Sequence, residues 1–343
     1  MLCYNTNIRE EDIMKISLNL DSIALLLFCS DIVSDSSKPL TQDEWYEVEK
    51  RLRSSTLKEP SRLFGMSKDA LVQILQIDEF IAYKMIARAS IYDKLMYALH
   101  NLQNEGINIT TKYEDNYPSS LTQSLKKRAP LFLYYIGDLS ILKNMISIVG
   151  PQQMDRKLQS FTKNLVRKLY DEEKVLVSSG AKGIETYALK MHLKLGGKAV
   201  CIVSDHLLDK KQSYNKQIKD KQMVLISAVD PYAFFNVTNA LDRNIYVCGL
   251  SDYQFVTASH INSGGIWFTS IQNFHYHWTK QIVYDEPRYN GNIRLLEMGA
   301  LKISNDDVLS LLTIDQIVEK NKTVNVVEEI MVDQMSIYEF IEE

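Results

Sequence analysis

The spacing of hydrophobic positions changes partway along this 343-residue chain. From about residue 12 to 105, leucines and isoleucines recur three and four apart, as in IALLLF and ALVQILQIDEFIAYKMI. That is the period of helices with one buried face. Thr41, with Glu44 three residues later, makes a capping box ahead of WYEVEKRL. Strand-like alternation is missing here, so the pattern predicts a small helical domain over 1–105. Gly106 and Pro118 then break the period, which predicts a linker over 106–130 with one short strand at 107–111.

After Pro130 short apolar runs alternate with amphipathic stretches. Strands are predicted at MISIVG (145–150), KVLVSS (174–179), KAVCIVS (198–204), MVLISA (223–228), YQFVTA (253–258) and KQIVYDE (280–286). Helices such as MDRKLQSFTKNLVRKLY and IETYALKMHLKL separate them. Apolar strands spaced by helices mean a parallel sheet covered on both faces. The expectation is an α/β fold with an extended Rossmann-like parallel sheet over 131–304, whose ligands sit beyond the carboxyl ends of the strands. A tail over 305–343 reads as two short helices with a break at NKTVN.

Composition adds limits. With 45% hydrophobic and 24% charged residues the chain can bury a sizeable core without staples. Cys3, Cys29, Cys201 and Cys248 lie far apart, with no C-x-x-C pair, which argues against a zinc site or a disulfide framework. The early apolar run from Ser22 to Cys29 is too short to span a membrane and lacks a basic lead-in, so a cytoplasmic protein is expected. The net charge of -4 is unevenly spread. From Asp306 onward ten acids face two lysines, so this segment carries -8 and the rest +4. An acidic tail of that kind covers a basic rim, docks a partner, or is a solvated helical pair.

Three glycine turns follow predicted strands. In VSSGAKGIE (177–185), Gly180 and Gly183 permit positive φ and close approach, and Lys182 adds a mobile charge. A helix opening there offers free N–H groups to an anion. The same residues also suit a plain tight turn. Gly150 and Pro151 end the first strand, with Gln152, then Arg156 and Lys157 at the next helix. Arg243-Asn244 and Gly264-Gly265 flank the strand YQFVTA. Together the three turns favour a shared phosphate-binding rim over coincidence. The six histidines lack triad or metal spacing; His275 and His277 could face one way on a strand, but no third ligand accompanies them. FFNVTNAL and the three tryptophans read as core, with Trp267, beside the Gly-Gly turn, a candidate for base stacking. No catalytic residue, metal or cofactor is expected.

IVGPQ, SSGAKGIE, LKLGGKAV, RNIYVCGLSD and GNIRLLEMGA stand in the order and spacing of the DprA/Smf family of DNA-processing proteins, and the chain resembles that family over about residues 15–303. TTKYEDNYPSSL is similar to the family's Tyr-Pro linker, which follows a helical SAM-like domain. The resemblance implies an extended Rossmann fold, single-stranded DNA binding, a homodimer and a RecA-type recombinase as partner, without established enzymatic activity. Departures stand out. Gln152 and Ile245 occupy positions of family arginines, Glu185 replaces an aspartate, Leu189 a histidine and Ala228 an acid. Each phosphate neutralised contributes about 0.7 to the salt slope for a single strand, so two missing cations imply weaker or altered DNA binding. Two other readings stay open. One is a nucleotide-sensing module, which needs fewer cations. The other is a scaffold subunit of a multi-protein system, such as one in anti-phage defence.

Overall fold

A computed structural model describes residues 16–322. The described chain forms two compact units. The first runs to Tyr117 and takes up Pro130–Ile136; the second holds Pro118–Ala129 and everything described from Gly137 on.

The first unit is built round α1 (Leu20–Cys29), buried from Ser22 to Phe28 on all sides. A helix apolar all round belongs at the centre of a core. Helices α2 (Gln42–Ser54), α3 (Lys68–Leu75), α4 (Glu79–Ala89) and α5 (Tyr92–Asn104) complete the helical part. The Thr41–Glu44 capping box is present at the start of α2. Arg88 is fully buried in α4 and donates to the carbonyls of Leu27, Ser30 and Ser37, so carbonyl dipoles replace the water its charge has lost. Strands β1 (Asn108–Thr111) and β2 (Phe132–Ile136) pair antiparallel in this unit.

The stretch 106–130 is therefore not a linker. Its first part is a paired strand. Its second part holds α6 (Ser119–Leu125), which belongs to the second unit, where Leu125 fills the space a side chain at Gly249 would need. The Rossmann-like unit resumes at Gly137, not at 131. Strand β2 went unpredicted because FLYYI stands ahead of the strand–helix alternation that marks the parallel strands.

The second unit carries seven parallel strands: β3 (Met145–Val149), β4 (Val175–Ser178), β5 (Ala199–Val203), β6 (Met223–Ser227), β7 (Tyr253–Val256), β8 (Lys280–Tyr284) and β9 (Leu301–Ile303). Their order is β6-β5-β4-β3-β7-β8-β9. The chain steps outward from β3 to β6, then returns to β3's other side at β7, so the switch point lies between β3 and β7. Helices α7 (Arg156–Asp171), α8 (Ile184–Leu195), α9 (Leu207–Ser213), α10 (Asn215–Lys219), α11 (Val237–Leu250), α12 (Gly264–Tyr276) and α13 (Asn290–Glu297) connect the strands. α7 shows why they cover the sheet. Leu158, Phe161, Leu165, Val166 and Leu169 form its buried stripe, and Phe161 stacks on Tyr284 at 3.7 Å.

Glycines lock the loops at the switch point. A Cβ on Gly150 would lie 2.1 Å from Thr257 Oγ1 and 2.8 Å from Ile184. Gly183 has φ 94°, and a Cβ there would lie 2.3 Å from the Pro151 carbonyl oxygen and 2.4 Å from Gln152 Cα. The loop after β3 thus lies directly against the start of α8.

The described part of the acidic tail forms α14 (Asn305–Leu309) and α15 (Ile314–Lys320). Ile314, Ile317 and Val318 are buried. Lys168 donates to the Ser310 carbonyl, Lys174 pairs with Asp315, and the Glu172 carboxylate accepts from the Ile314 N–H. These anchors lie at the end of α7 and the start of β4 and β7. This edge is opposite to the strands' carboxyl ends, so α14 and α15 do not cover the glycine turns. The acids from Glu328 on lie outside the described residues.

Two predictions follow from this packing. Gly183→Ala meets backbone atoms as well as positive-φ strain, whereas Gly264→Ala at φ 71° meets nothing within 4 Å. In urea unfolding, Gly264→Ala is expected to cost about 1–2 kcal/mol and Gly183→Ala clearly more; equal costs would show that the loop gives way. The second concerns Asp307. Burial pushes its carboxyl up, but hydrogen bonds from Ser304 and from Lys320 outweigh this and hold it at about 2. A depressed folded-state pKa adds stability above the unfolded value, lost as pH falls through the folded one. Stability against urea should therefore drop more steeply in the native chain than in Asp307→Asn between pH of about 4 and about 2. Parallel curves would mean that this carboxylate does not hold the tail.

Candidate nucleic-acid interface

A cleft of about 560 Å³ opens at the carboxyl ends of β3, β4 and β7, at the switch point. Gly150, Pro151 and Gln152 line it from the loop after β3, and Ala181, Lys182 and Glu185 from the junction into α8. Arg243 and Asn244 enter from α11, and Gly264 and Gly265 from the start of α12. Nine of the ten residues singled out from the glycine turns therefore converge, since Gly180 and Gly183 lie within the same junction. Seven line the cleft themselves, and Gly180 and Gly183 shape the junction that carries Lys182. Gly180, at φ 67°, turns the chain over Cys201. Arg156 is exposed at the first position of α7 and does not line the cleft, so it does not take the place of an arginine at Gln152.

The junction VSSGAKGIE satisfies most of its own backbone. The Ser179 N–H and hydroxyl both donate to the Glu185 carboxylate. The Gly180 N–H donates to Ser178 Oγ and the Ala181 N–H to Ser179 Oγ. The Ile184 N–H goes to the Pro151 carbonyl and that of Thr186 to Ala181. The N–H groups of Lys182, Gly183 and Glu185 have no partner among the described residues. The cradle is thus narrower than its glycines imply: three donors, with the Lys182 ammonium exposed above them and in no ion pair among the described residues. Burial pushes the Glu185 carboxyl up, against the pull of its Ser179 hydrogen bonds and of Arg243.

Arg243 is half-buried. It donates to Ser204 Oγ at 3.3 Å and to Asn244 Oδ1 at 3.2 Å, while its Nε has no partner. Asn244 Oδ1 is occupied in this way, which aims the guanidinium along the cleft wall. Ile245 is buried on the core side of α11. The position matching the second family arginine therefore faces away from the cleft.

Two aromatic expectations are corrected. Trp267 is buried with Val256, Val283, Leu295 and Ala300 and is unable to stack on a base. Phe234 and Phe235, expected in the core, are 81% and 63% exposed, and Phe235 lines the cleft. They sit just ahead of the Asn236 cap of α11, whose side chain accepts from the Thr238 N–H. An aromatic pair before a helix looks like core in a sequence; only the tertiary placement exposes it. His275 lies within α12 and His277 caps its end with φ 53°, so neither is on a strand. Among the described residues no group of three His, Cys, Asp or Glu could hold a metal ion, and no helix is long and apolar enough to cross a membrane.

Comparison with known proteins places this geometry. The family described as DNA recombination-mediator protein A matches residues 108–313. A DNA processing protein DprA from Streptococcus pneumoniae is 31% identical over 157 residues, 45% of this chain; the match spans 55% of that relative's length. The crystal structure of DprA from Streptococcus pneumoniae superposes with a TM-score of 0.64 at 20% identity, over 87% of this chain and 99% of that one, and shows the same fold. DNA processing protein A from Helicobacter pylori, described for its single-stranded DNA binding mode, matches 58% of this chain and 92% of its own at 23% identity. Its TM-score of 0.49 is too slight to add to the fold assignment. On the family match, which spans most of the chain, this protein belongs to the DNA recombination-mediator protein A family.

Proposed function

We propose that this chain binds single-stranded DNA along the cleft at the switch point, as a DNA-processing protein without catalysis of its own. The observation that carries the reading is the grouping of unlike donors on one rim. Lys182, Arg243 and the N–H groups of Lys182, Gly183 and Glu185 suit phosphates, and the exposed Phe234–Phe235 pair beside them suits unstacked bases. Gln152 adds an uncharged amide at the tip of the loop. Two side-chain cations are few, so aromatic stacking carries more of the affinity than in a cation-rich groove. Membership of a family named for recombination mediation supports the assignment. An accessory role toward a RecA-type recombinase, and a homodimer, extend the same reading. Leu309 and Leu311, 61% and 103% exposed, offer apolar surface for a second copy.

A mononucleotide in the same cleft is the second reading. The missing cation at Gln152 favours it, because a single phosphate group needs fewer charges than a strand.

Fluorescence anisotropy with a labelled oligodeoxynucleotide at several salt concentrations tests both. Lys182→Ala with Arg243→Ala is expected to weaken binding and to lower the salt slope by about 1.4, twice 0.7. Phe234→Ala with Phe235→Ala should cost about 1–3 kcal/mol per stacked base with the slope unchanged. Strand affinity indifferent to both pairs would rule the cleft out. Nucleotide-dependent thermal stabilisation that Lys182→Ala with Arg243→Ala abolishes, without strand binding, would establish the second reading.

A further inference from the structure

A second cleft, about 640 Å³, opens at the other edge of the sheet, by the starts of β7, β8 and β9. Gln123 comes to it from α6, Phe274 and His277 from the end of α12, and Gly299, Ala300 and Leu301 from the approach to β9. Phe274 and Leu301 are only partly buried, so apolar surface faces solvent here. Lys322, where the described chain ends, is itself part of the wall. The segment 323–343, outside the described residues, therefore starts at this cleft.

The sequence of that segment has two features the cleft can meet. Val327, Ile330, Met331, Ile337, Tyr338 and Ile341 have the spacing that gathers side chains into one stripe of a helix. The remaining positions carry six acids, and the segment has no basic residue. Isolated helices of about 15 residues are marginal in water, so such a stripe needs apolar surface to bury against. Five residues of extended chain span about 17 Å, so Val327 reaches the cleft from Lys322 without a long loop. Cations flank the apolar wall. Lys280 stands at the mouth as the first residue of β8 and is in no ion pair among the described residues. The Arg128 guanidinium lies 4.3 Å from the ring centre of Tyr276 and 5.6 Å from that of Trp278, which lines the cleft. Lys322 is paired with Glu319, and Asp252 is the one acid among the lining residues.

We propose that residues 323–343 dock on this cleft of their own chain as an acidic amphipathic helix, with the apolar stripe against Phe274 and Leu301 and the acids toward Lys280 and Arg128. The cleft takes side chains of the stripe, not the whole helix, so the acidic face stays in water. The exposed Leu309 and Leu311 are a poorer match, because Asp306 and Asp307 stand on the same short helix and repel an acidic segment. The docked segment lies at the edge of the sheet opposite the glycine turns and leaves Lys182 and Arg243 open. It shares no residue with the strand cleft and stands without that reading.

The test places the photoreactive amino acid p-benzoylphenylalanine at Tyr338 of the full chain and maps its crosslinks by mass spectrometry. An isotope-labelled chain mixed with an unlabelled one separates contacts within a chain from contacts between copies. Crosslinks are expected within one chain, on the stretch from Phe274 to Lys280 or on α6. Ile330→Asp with Ile337→Asp, which alters the stripe and leaves the described core untouched, should abolish them. Lys280→Glu, an exposed change, should lower their yield about two- to fivefold, the worth of one exposed ion pair. The proposal is overturned if no crosslink forms, or if the crosslinks join two copies. It is overturned equally if they fall on Leu309 and Leu311 or on the strand cleft, or if their yield is undiminished in either variant.

Discussion

The closest backbone approach in the second unit governs what its rim can do. The loop after β3 lies against the start of α8 with no room for a Cβ at Gly150 or Gly183, and Gly150 also abuts Thr257 after β7. Gly291 repeats the device one connection later, where a Cβ would meet the Ser259 backbone at 2.6 Å. The ends of β3, β4 and β7 therefore form one rigid edge, at the point where strand order reverses. Lys182 and Arg243 face the same cleft because of that rigidity. Side chains fixed in this way lose less freedom on meeting a ligand than a mobile loop would.

The same closeness limits the backbone as a phosphate receptor. Ser178, Ser179, Glu185 and Pro151 take up N–H groups that a glycine-rich junction is expected to offer. Three remain, and the neighbouring carboxyl, raised by burial, opposes an anion less than an ordinary carboxylate would. Binding then depends on side chains: one free ammonium, one partly engaged guanidinium and an exposed phenylalanine pair. This balance differs from that of a groove with an arginine at position 152. On the proposed function, it suits unstacked bases better than bare backbone, and single strands better than duplex.

Much of the architecture is legible in the sequence because long-period signals survive without tertiary context. The six longer parallel strands announce themselves as apolar runs between amphipathic helices, and the Thr41–Glu44 box marks its helix start. Strand β9, three residues long, is too short to show a period, and β2 stands outside the strand–helix alternation, so pairing alone identifies them. The linker reading at 106–130 failed because Gly106 and Pro118 punctuate a chain that is passing between units, not one that lacks structure. The glycine turns were visible as a set, since three such turns after three strands must meet at one sheet edge. Exposure was not visible. Trp267 and Phe235 are both aromatic residues near a helix start, yet one faces the sheet and the other the solvent.

The most direct test of the central claim is photocrosslinking of a 5-bromouridine-substituted DNA strand to the full chain, with the attachment points mapped by mass spectrometry. The account predicts crosslinks on the peptide holding Phe234 and Phe235, beside Lys182. Crosslinks confined to α14 and α15, at the other edge of the sheet, would contradict it.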